Sequence, residues 1–126
     1  MATSNSPRVQ GYRGATTVEH DTAEAILEAT EELLHALVDA NGIGPDDIVS
    51  AIFTVTTDLI ATFPARASRR MGWNNVAILH TTEIPVPGSL PHCIRVLVHA
   101  YSDQPREQIR HTYLRSAMVL RPDRTR

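Results

Sequence analysis

The chain has 126 residues, of which 42% are apolar and 21% are charged. That length predicts one domain, and that composition is typical of a globular chain rather than a disordered or fibrous one. The single cysteine, Cys93, excludes an intramolecular disulfide and a zinc site built from several cysteines. No apolar run approaches the roughly 20 residues of a membrane span, and the first residues are polar. We therefore expect a cytoplasmic protein with no membrane partner and no secretory signal.

Charge is divided unevenly between the two halves of the chain. Residues 1–63 hold ten of the fourteen acidic residues, residues 64–126 hold ten of the twelve arginines, and there is no lysine. Base composition of the source genome is one explanation for the missing lysine. Arginine also binds carboxylates and phosphates through paired hydrogen bonds, so the second half predicts an anion site or an interface with the acidic half. Nucleic acid is not an expected partner, because the pI of about 6.3 is not basic.

The first half predicts a tail, a strand, a long helix and a second strand. Residues 1–8 are polar and are expected to form a disordered tail before a strand over 9–15. Apolar residues recur at helical spacing over 22–41, and Gly42 ends that helix. The segment 48–56 is rich in β-branched residues, which favours a buried strand.

The second half predicts six shorter segments. They are a helix over 64–70, a strand over 76–81, a proline-rich loop over 84–91, a strand over 93–101, a helix over 105–114 and a strand over 117–120. The resulting order β-α-β-α-β-β-α-β predicts an α+β domain. Its sheet is expected to be mixed and mainly antiparallel, with the helices on one face.

Arginines inside apolar strands are the clearest chemical signal. Arg13 and Arg95 each lie in a predicted strand, where an unpaired buried ion would cost several kcal/mol. Either each one faces solvent or an internal acid, or the two line a pocket for a small molecule with several negative charges. No phosphate-binding loop or nucleophile elbow is present, and the six histidines lack metal-ligand spacing, so no metal is expected.

Six short segments together resemble the monofunctional trimeric chorismate mutases. They are Tyr12–Glu19, Phe63–Ala67, Gly72–Trp73, Cys93–Val96, Gln108–Leu114 and Val119–Asp123. The resemblance covers about residues 9–123 as one domain and implies a chorismate-mutase-like, ferredoxin-like subunit. Three such subunits would form a homotrimeric pseudo-α/β barrel with active sites between neighbours. The implied reaction is the pericyclic rearrangement of the substrate chorismate to prephenate, which requires no cofactor.

The resemblance also implies three catalytic residues. Arg95 matches the arginine that stabilises the ether oxygen of the breaking bond, and Arg13 matches an arginine that binds a substrate carboxylate. Glu83 matches the acid that accepts a hydrogen bond from the ring hydroxyl. With sites between subunits, Arg13 and Arg95 are expected on different sides of a shared cleft.

Ten further positions match substrate-binding positions of the family. They are Phe63, Ala65, Arg66, Arg69, Ile78, Leu79, His80, Tyr113, Leu120 and Arg121. Arg121 matches the start of a mobile C-terminal segment that closes over the site. This chain departs from the family pattern at Arg66, where lysine is common, and at His80, where cysteine is expected. The histidine is expected to introduce a pH response near its usual pKa of about 6.5.

Two other functions remain open. One is an imine or enamine deaminase of the small homotrimeric family, which also uses an arginine at its interface and which fold alone does not separate. The other is a trimer that binds an anionic metabolite without catalysis. The linear motifs favour the mutase over the deaminase, and the joint presence of Arg13, Glu83, Arg95 and Tyr113 favours catalysis over sensing.

Overall fold

The computed structural model describes residues 7–121. Five strands form one sheet: β1 (Arg8–Thr17), β2 (Ile48–Val55), β3 (Ala77–Thr82), β4 (Cys93–Ser102) and β5 (Thr112–Tyr113). There are two α-helices in this range, α1 (Ala23–Asn41) and α2 (Ala65–Arg70), and three short 3₁₀ turns, Pro45–Asp47, Arg106–Gln108 and Arg115–Leu120. Neither α-helix is both long and apolar enough to cross a membrane.

Helix α1 begins and ends where its capping residues predict. The Thr22 side chain accepts a hydrogen bond from the Ala25 N–H at 3.1 Å, which satisfies one of the free donors of the first turn. At the other end, Gly42 adopts a left-handed conformation with φ of 63° and donates its N–H to the Val38 carbonyl. The predicted helix over 22–41 is confirmed.

The sheet has the strand order β3-β2-β4-β1-β5. Central strand β4 pairs antiparallel with β1 and with β2, whereas the outer pairs β2–β3 and β1–β5 are parallel. The pairing of β1 with β4 extends over ten positions, from Arg8 opposite Ser102 to Thr17 opposite Cys93. The expected α+β fold with a mixed sheet is confirmed.

The helices pack on one face of this sheet. A side chain at Gly14 would meet Leu33 of α1 at 3.1 Å and Val96 of β4 at 3.2 Å, so a larger residue there would force these neighbours to shift where α1 packs on the sheet. The core on this face contains Tyr12, Leu33, Leu34, Leu37, Phe53, Val96 and Val98. Because side chains alternate along a strand, the neighbours of Gly14 point to the opposite face, over which the described residues place no helix.

The predicted helix over 105–114 is wrong. Only a 3₁₀ turn, Arg106–Gln108, forms there, and the chain then extends into β5. The Asn41 amide explains the change, because it accepts from the Arg110 N–H at 2.8 Å and donates to the Arg110 carbonyl at 2.9 Å. These contacts use the backbone groups that a continuing helix would need.

Two other segments differ from prediction, one in its type of secondary structure and one in where it begins. The predicted strand over 117–120 is wrong, since residues 115–120 form a 3₁₀ turn. Arg115 starts this turn with φ of 53°, and its guanidinium holds the Thr17 carbonyl at 3.1 Å and Glu32 at 3.0 Å. At the other end of the chain, β1 already begins at Arg8, and residues 1–6 of the expected tail lie outside the described residues.

Candidate active site

The uncovered face of the sheet carries a cleft that we call the arginine cleft. In the β1–β4 register Ala15 lies opposite Arg95 and Arg13 lies opposite Leu97, so the two arginines are diagonal neighbours on one face. Both line a cavity of about 340 Å³. The expectation that they lie on different sides of a shared cleft is wrong, because strand pairing within one subunit brings them together.

Glu83 places a carboxylate beside Arg95. It follows directly after β3, and its N–H donates to the Val55 carbonyl at 2.9 Å. One of its carboxylate oxygens accepts a hydrogen bond from the Thr54 hydroxyl and lies 3.6 Å from Nε of Arg95. The Arg95 and Glu83 side chains are 45% and 25% exposed, so a donor and an acceptor both face the cleft without being sealed in it.

Tyr113 and Leu120 close another side of the arginine cleft. Tyr113 belongs to β5 and pairs with Ala15 of β1, and the Leu114 N–H donates to the Ala15 carbonyl at 2.9 Å. The 3₁₀ turn after β5 brings Leu120 to the cavity. Arg121 follows directly, and the expected mobile segment beyond it, residues 122–126, lies outside the described residues.

Phe63 and His80 form the centre of a second group, which we call the aromatic wall and which also includes Arg66. The His80 ring lies 5.7 Å from the Phe53 ring, nearly parallel to it, and 5.2 Å from the tilted Phe63 ring. Phe63 is 64% exposed. The aromatic wall lines a cavity of about 550 Å³. Within residues 7–121, no residue lines both this cavity and the arginine cleft.

Helix α2 joins the aromatic wall through a hydrogen bond to His80. Its N-cap residue, Pro64, supplies no side-chain acceptor. Instead Nε2 of His80 accepts from the Ala65 N–H at 3.3 Å, so the proton of the neutral ring is on Nδ1. Burial, and then the charge of Arg69, lower the pKa of His80 below its ordinary value of 6.5. Ala65 is fully buried in the core and contributes this N–H rather than a side chain.

The remaining predicted positions lie around the aromatic wall. Arg66 donates to the Thr62 hydroxyl at 3.0 Å, and Arg69 is exposed on α2. Ile78 packs against the core, whereas Leu79 is 69% exposed and lies beside Ile52 on the uncovered face. One subunit therefore assembles the arginine cleft and, separately, the aromatic wall.

Sequence reasoning missed two polar side chains that form hydrogen bonds with the charged residues of the arginine cleft. The Thr54 hydroxyl binds Glu83, and Nδ1 of His111 accepts a hydrogen bond from the Arg13 N–H at 3.0 Å. Thr54 is an ordinary strand residue with no sequence signal. His111 lies in the motif Gln108–Leu114, but only the pairing of β5 with β1 shows which residue it contacts.

The arginine cleft offers charge and hydrogen bonds, and its lining residues within the described range include no cysteine or serine. Burial raises the pKa of the Cys93 thiol, so this thiol stays protonated near neutral pH. Among residues 7–121 no group of three or more histidine, cysteine or acidic side chains is placed to hold a metal ion. Two guanidinium groups beside one carboxylate offer the groups that a small anion carrying a hydrogen-bond donor would need.

Comparisons with known proteins identify the family. The family model for chorismate mutase type I matches residues 9–124. The chain is 53% identical to the chorismate mutase AroH of Thermus thermophilus over 116 residues, which are 91% of this chain and 95% of that protein. It is 46% identical to the AroH of Bacillus subtilis strain 168 over 116 residues, 91% of each chain. The chain therefore belongs to the chorismate mutase type I family, and the resemblance in its motifs is confirmed.

A solved structure also shares this fold. A chorismate mutase from Clostridium thermocellum superposes with a TM-score of 0.86 and 49% sequence identity, covering 87% of this chain and 98% of that chain. The structural similarity therefore extends over most of the chain, rather than over one motif.

Proposed function

We propose that this protein is a chorismate mutase, an isomerase that converts chorismate to prephenate on the route to phenylalanine and tyrosine. The observation that carries this proposal is the arginine cleft, in which Arg13, Arg95 and Glu83 line one cavity and Arg95 lies 3.6 Å from Glu83. The family to which the chain belongs supports it independently. We propose that these three residues are catalytic and act within one domain over residues 9–123.

The mechanism needs restraint and charge rather than proton transfer. In the rearrangement one C–O bond breaks while one C–C bond forms within the same molecule. The ether oxygen gains negative charge as its bond breaks, and the guanidinium of Arg95 stabilises that charge. Glu83 accepts from the ring hydroxyl, and Arg13 and Tyr113 bind a carboxylate, which holds the flexible substrate in its reactive conformation. No step requires a cofactor.

We propose that each site is completed by a neighbouring subunit. The aromatic wall, the main chain at residues 78–80 and the charge of Arg69 would face the arginine cleft of the next subunit, with Leu120 and Arg121 covering the substrate. Three large apolar residues support this arrangement, because Phe63, Leu79 and Ile84 are 64%, 69% and 78% exposed in one chain. A closed homotrimer covers such a surface with threefold symmetry. We place the enzyme in the cytoplasm.

An ultraviolet assay of chorismate loss tests the activity, and analytical ultracentrifugation at the assay concentration tests the assembly. We expect turnover that is unaffected by chelators, from a species three times the mass of the chain. Binding of chorismate without its conversion would show that the protein is a sensor of this metabolite rather than an enzyme. A fully active monomer would contradict the shared site while leaving the chemistry intact.

A further inference from the structure

His111 lies at the border of the arginine cleft and has no part in the function proposed above. Its Nδ1 accepts the main-chain N–H of Arg13 at 3.0 Å. The next residue, Thr112, pairs with Gly14, and Tyr113 pairs with Ala15 in the parallel β1–β5 ladder. The imidazole therefore joins the strand that carries Arg13 to the segment that carries Tyr113.

A side chain makes this link because β5 is too short to make it. The strand has only two residues, Thr112 and Tyr113, and Arg13 lies one residue before the ladder on β1. A longer β5 would offer a carbonyl group to the Arg13 N–H, as sheets ordinarily do. His111 supplies the acceptor instead, and does so at the residue whose side chain lines the cleft.

The hydrogen bond fixes the protonation state of the ring. A main-chain amide donates and does not accept, so Nδ1 of His111 carries no proton and the neutral ring holds its proton on Nε2. A doubly protonated ring would lose this acceptor and place a second positive charge beside Arg13. Arg13 is the charged group that faces the ring from β1, whereas from α1 the uncharged amide of Asn41 holds the adjacent residue, Arg110. Burial, followed by the charge of Arg13, lowers the pKa of His111 below its ordinary value of 6.5.

We propose that His111 is a positioning residue for this enzyme. Its neutral imidazole fixes the main chain at Arg13 relative to Tyr113, so that the two side chains meet the same bound carboxylate. The identity of the carboxylate rests on the proposed chorismate mutase activity. The positioning itself rests on the hydrogen bond and the β1–β5 register.

Two substitutions at position 111 separate the effect of the hydrogen-bond acceptor from the effect of the aromatic ring. In His111→Asn, Oδ1 stands the same number of bonds from the backbone as Nδ1 and accepts at every pH. In His111→Phe the ring remains without an acceptor. At pH 8 we expect His111→Phe to raise KM about 3- to 12-fold, as for loss of one hydrogen bond, with kcat within about twofold of the unmodified chain. We expect His111→Asn to restore KM. His35→Phe, an exposed position on α1, is the matched control.

Two further readouts keep the proposal open to contradiction. The KM of the unmodified enzyme should rise on the acid side of pH 6.5, and His111→Asn should remove the part of that rise due to His111. Nitrogen-15 NMR of the imidazole should show an unprotonated Nδ1 at pH 8. A protonated Nδ1, or an unchanged KM in His111→Phe, would overturn the proposal. If His111→Phe fails to fold, the dependence of KM on pH in His111→Asn and the NMR spectrum of the unmodified enzyme test the positioning role of His111. An enzyme without mutase activity would refute the proposed function, and the NMR spectrum would then decide the role of His111.

Discussion

Arg13 and Arg95 are held by the middle of the sheet, whereas Phe63, Arg66 and His80 are held at its edge. Strand β4 is the central strand, and its ten-position ladder with β1 fixes both arginines through the backbone. The aromatic wall stands on edge strand β3 and on α2, which has six residues. There β3 has a backbone ladder on one side only, with β2, and the His80 side chain makes the further contacts, namely the stacked rings and the hydrogen bond that it accepts from the Ala65 N–H.

This difference indicates where the sequence can vary. The resemblance in the motifs implies that the side chains of the arginine cleft match the family pattern, and that the two departures it implies, Arg66 and His80, belong to the aromatic wall. A backbone ladder holds the direction of a side chain within narrow limits. Side-chain packing at an edge can accommodate a new pair of residues, provided that the hydrogen bonds are satisfied. We therefore expect electrostatic catalysis to depend on the cleft, and substrate capture and pH response to depend on the wall.

Removing the guanidinium of Arg95 should produce the largest effect. Arg95→Met keeps much of the length of the side chain without the charge, and we expect kcat to fall about 10²- to 10³-fold, as for loss of one donor to a developing oxyanion. KM should change much less, because the charge on the ether oxygen grows only in the transition state. Arg95→Lys should recover part of the loss. Steady-state kinetics against Arg106→Met, an arginine outside the cleft, measure both values.

A selective rise in KM with intact kcat would show that Arg95 only anchors a carboxylate. Stabilisation of the transition state would then have to come from another group in the arginine cleft. Circular dichroism of Arg95→Met distinguishes such a loss from unfolding.

Mixing two inactive variants tests whether cleft and wall come from different subunits. We expect Arg95→Met and Arg66→Glu to be nearly inactive alone, the second because a new carboxylate repels the dianionic substrate. In refolded equimolar mixtures, about a quarter of the sites of a threefold trimer should combine an intact cleft with an intact wall. Activity should therefore recover to about a quarter of the unmodified level. Mixtures as inactive as their components would place both groups in one subunit's site.

The acid limb of the pH profile should depend on the aromatic wall. His80 must be neutral to accept from the Ala65 N–H, and its pKa lies below 6.5 when folded. Its contribution to folding stability is therefore complete above pH 6.5 and is lost as the pH falls through the lowered pKa. His80→Gln, whose Oε1 accepts at every pH, should flatten part of the decline in kcat/KM, measured from pH 5 to 8.

The other histidines are the same in His80→Gln and in the unmodified chain. The difference between their two profiles of kcat/KM against pH is therefore due to His80. His80→Cys, which introduces the residue that the resemblance implies at this position, should remove the same part of the acid limb. An unchanged limb in both variants would assign the titration to a different group.

The smallest expected effect is that of Tyr12→Phe, a substitution in the core on the other face of the sheet from the arginine cleft. Tyr12 is fully buried on the helix-covered face, and its hydroxyl has no hydrogen-bond partner within residues 7–121. Tyr12→Phe removes a desolvated polar group without leaving another unpaired, so the free energy of unfolding should stay the same or rise by up to about 1 kcal/mol. Urea denaturation measures this change, and kcat should not move. A loss above about 1 kcal/mol would reveal a partner for the hydroxyl.

Local sequence pattern predicted the long helix and four strands correctly, and failed near the C-terminus. Capping by Thr22 and Gly42 and regular apolar spacing define α1 within a few residues, because these forces act locally. The segment 105–114 looks helical by the same criteria. It is extended at its end because Asn41, which is 69 residues away along the chain, binds its backbone at Arg110.

The candidate site divides in the same way. The residue types and their order in the motifs identified the family from the sequence by itself, together with the charged residues expected in the site. Residue type and order along the chain can be read without knowing the distances between residues in the fold. The tertiary structure alone decided that Arg13 and Arg95 share one subunit's cleft, since this follows from the register of β1 on β4. It also decided that His80 caps α2 and that His111 holds Arg13, because both hydrogen bonds join segments that only folding brings together.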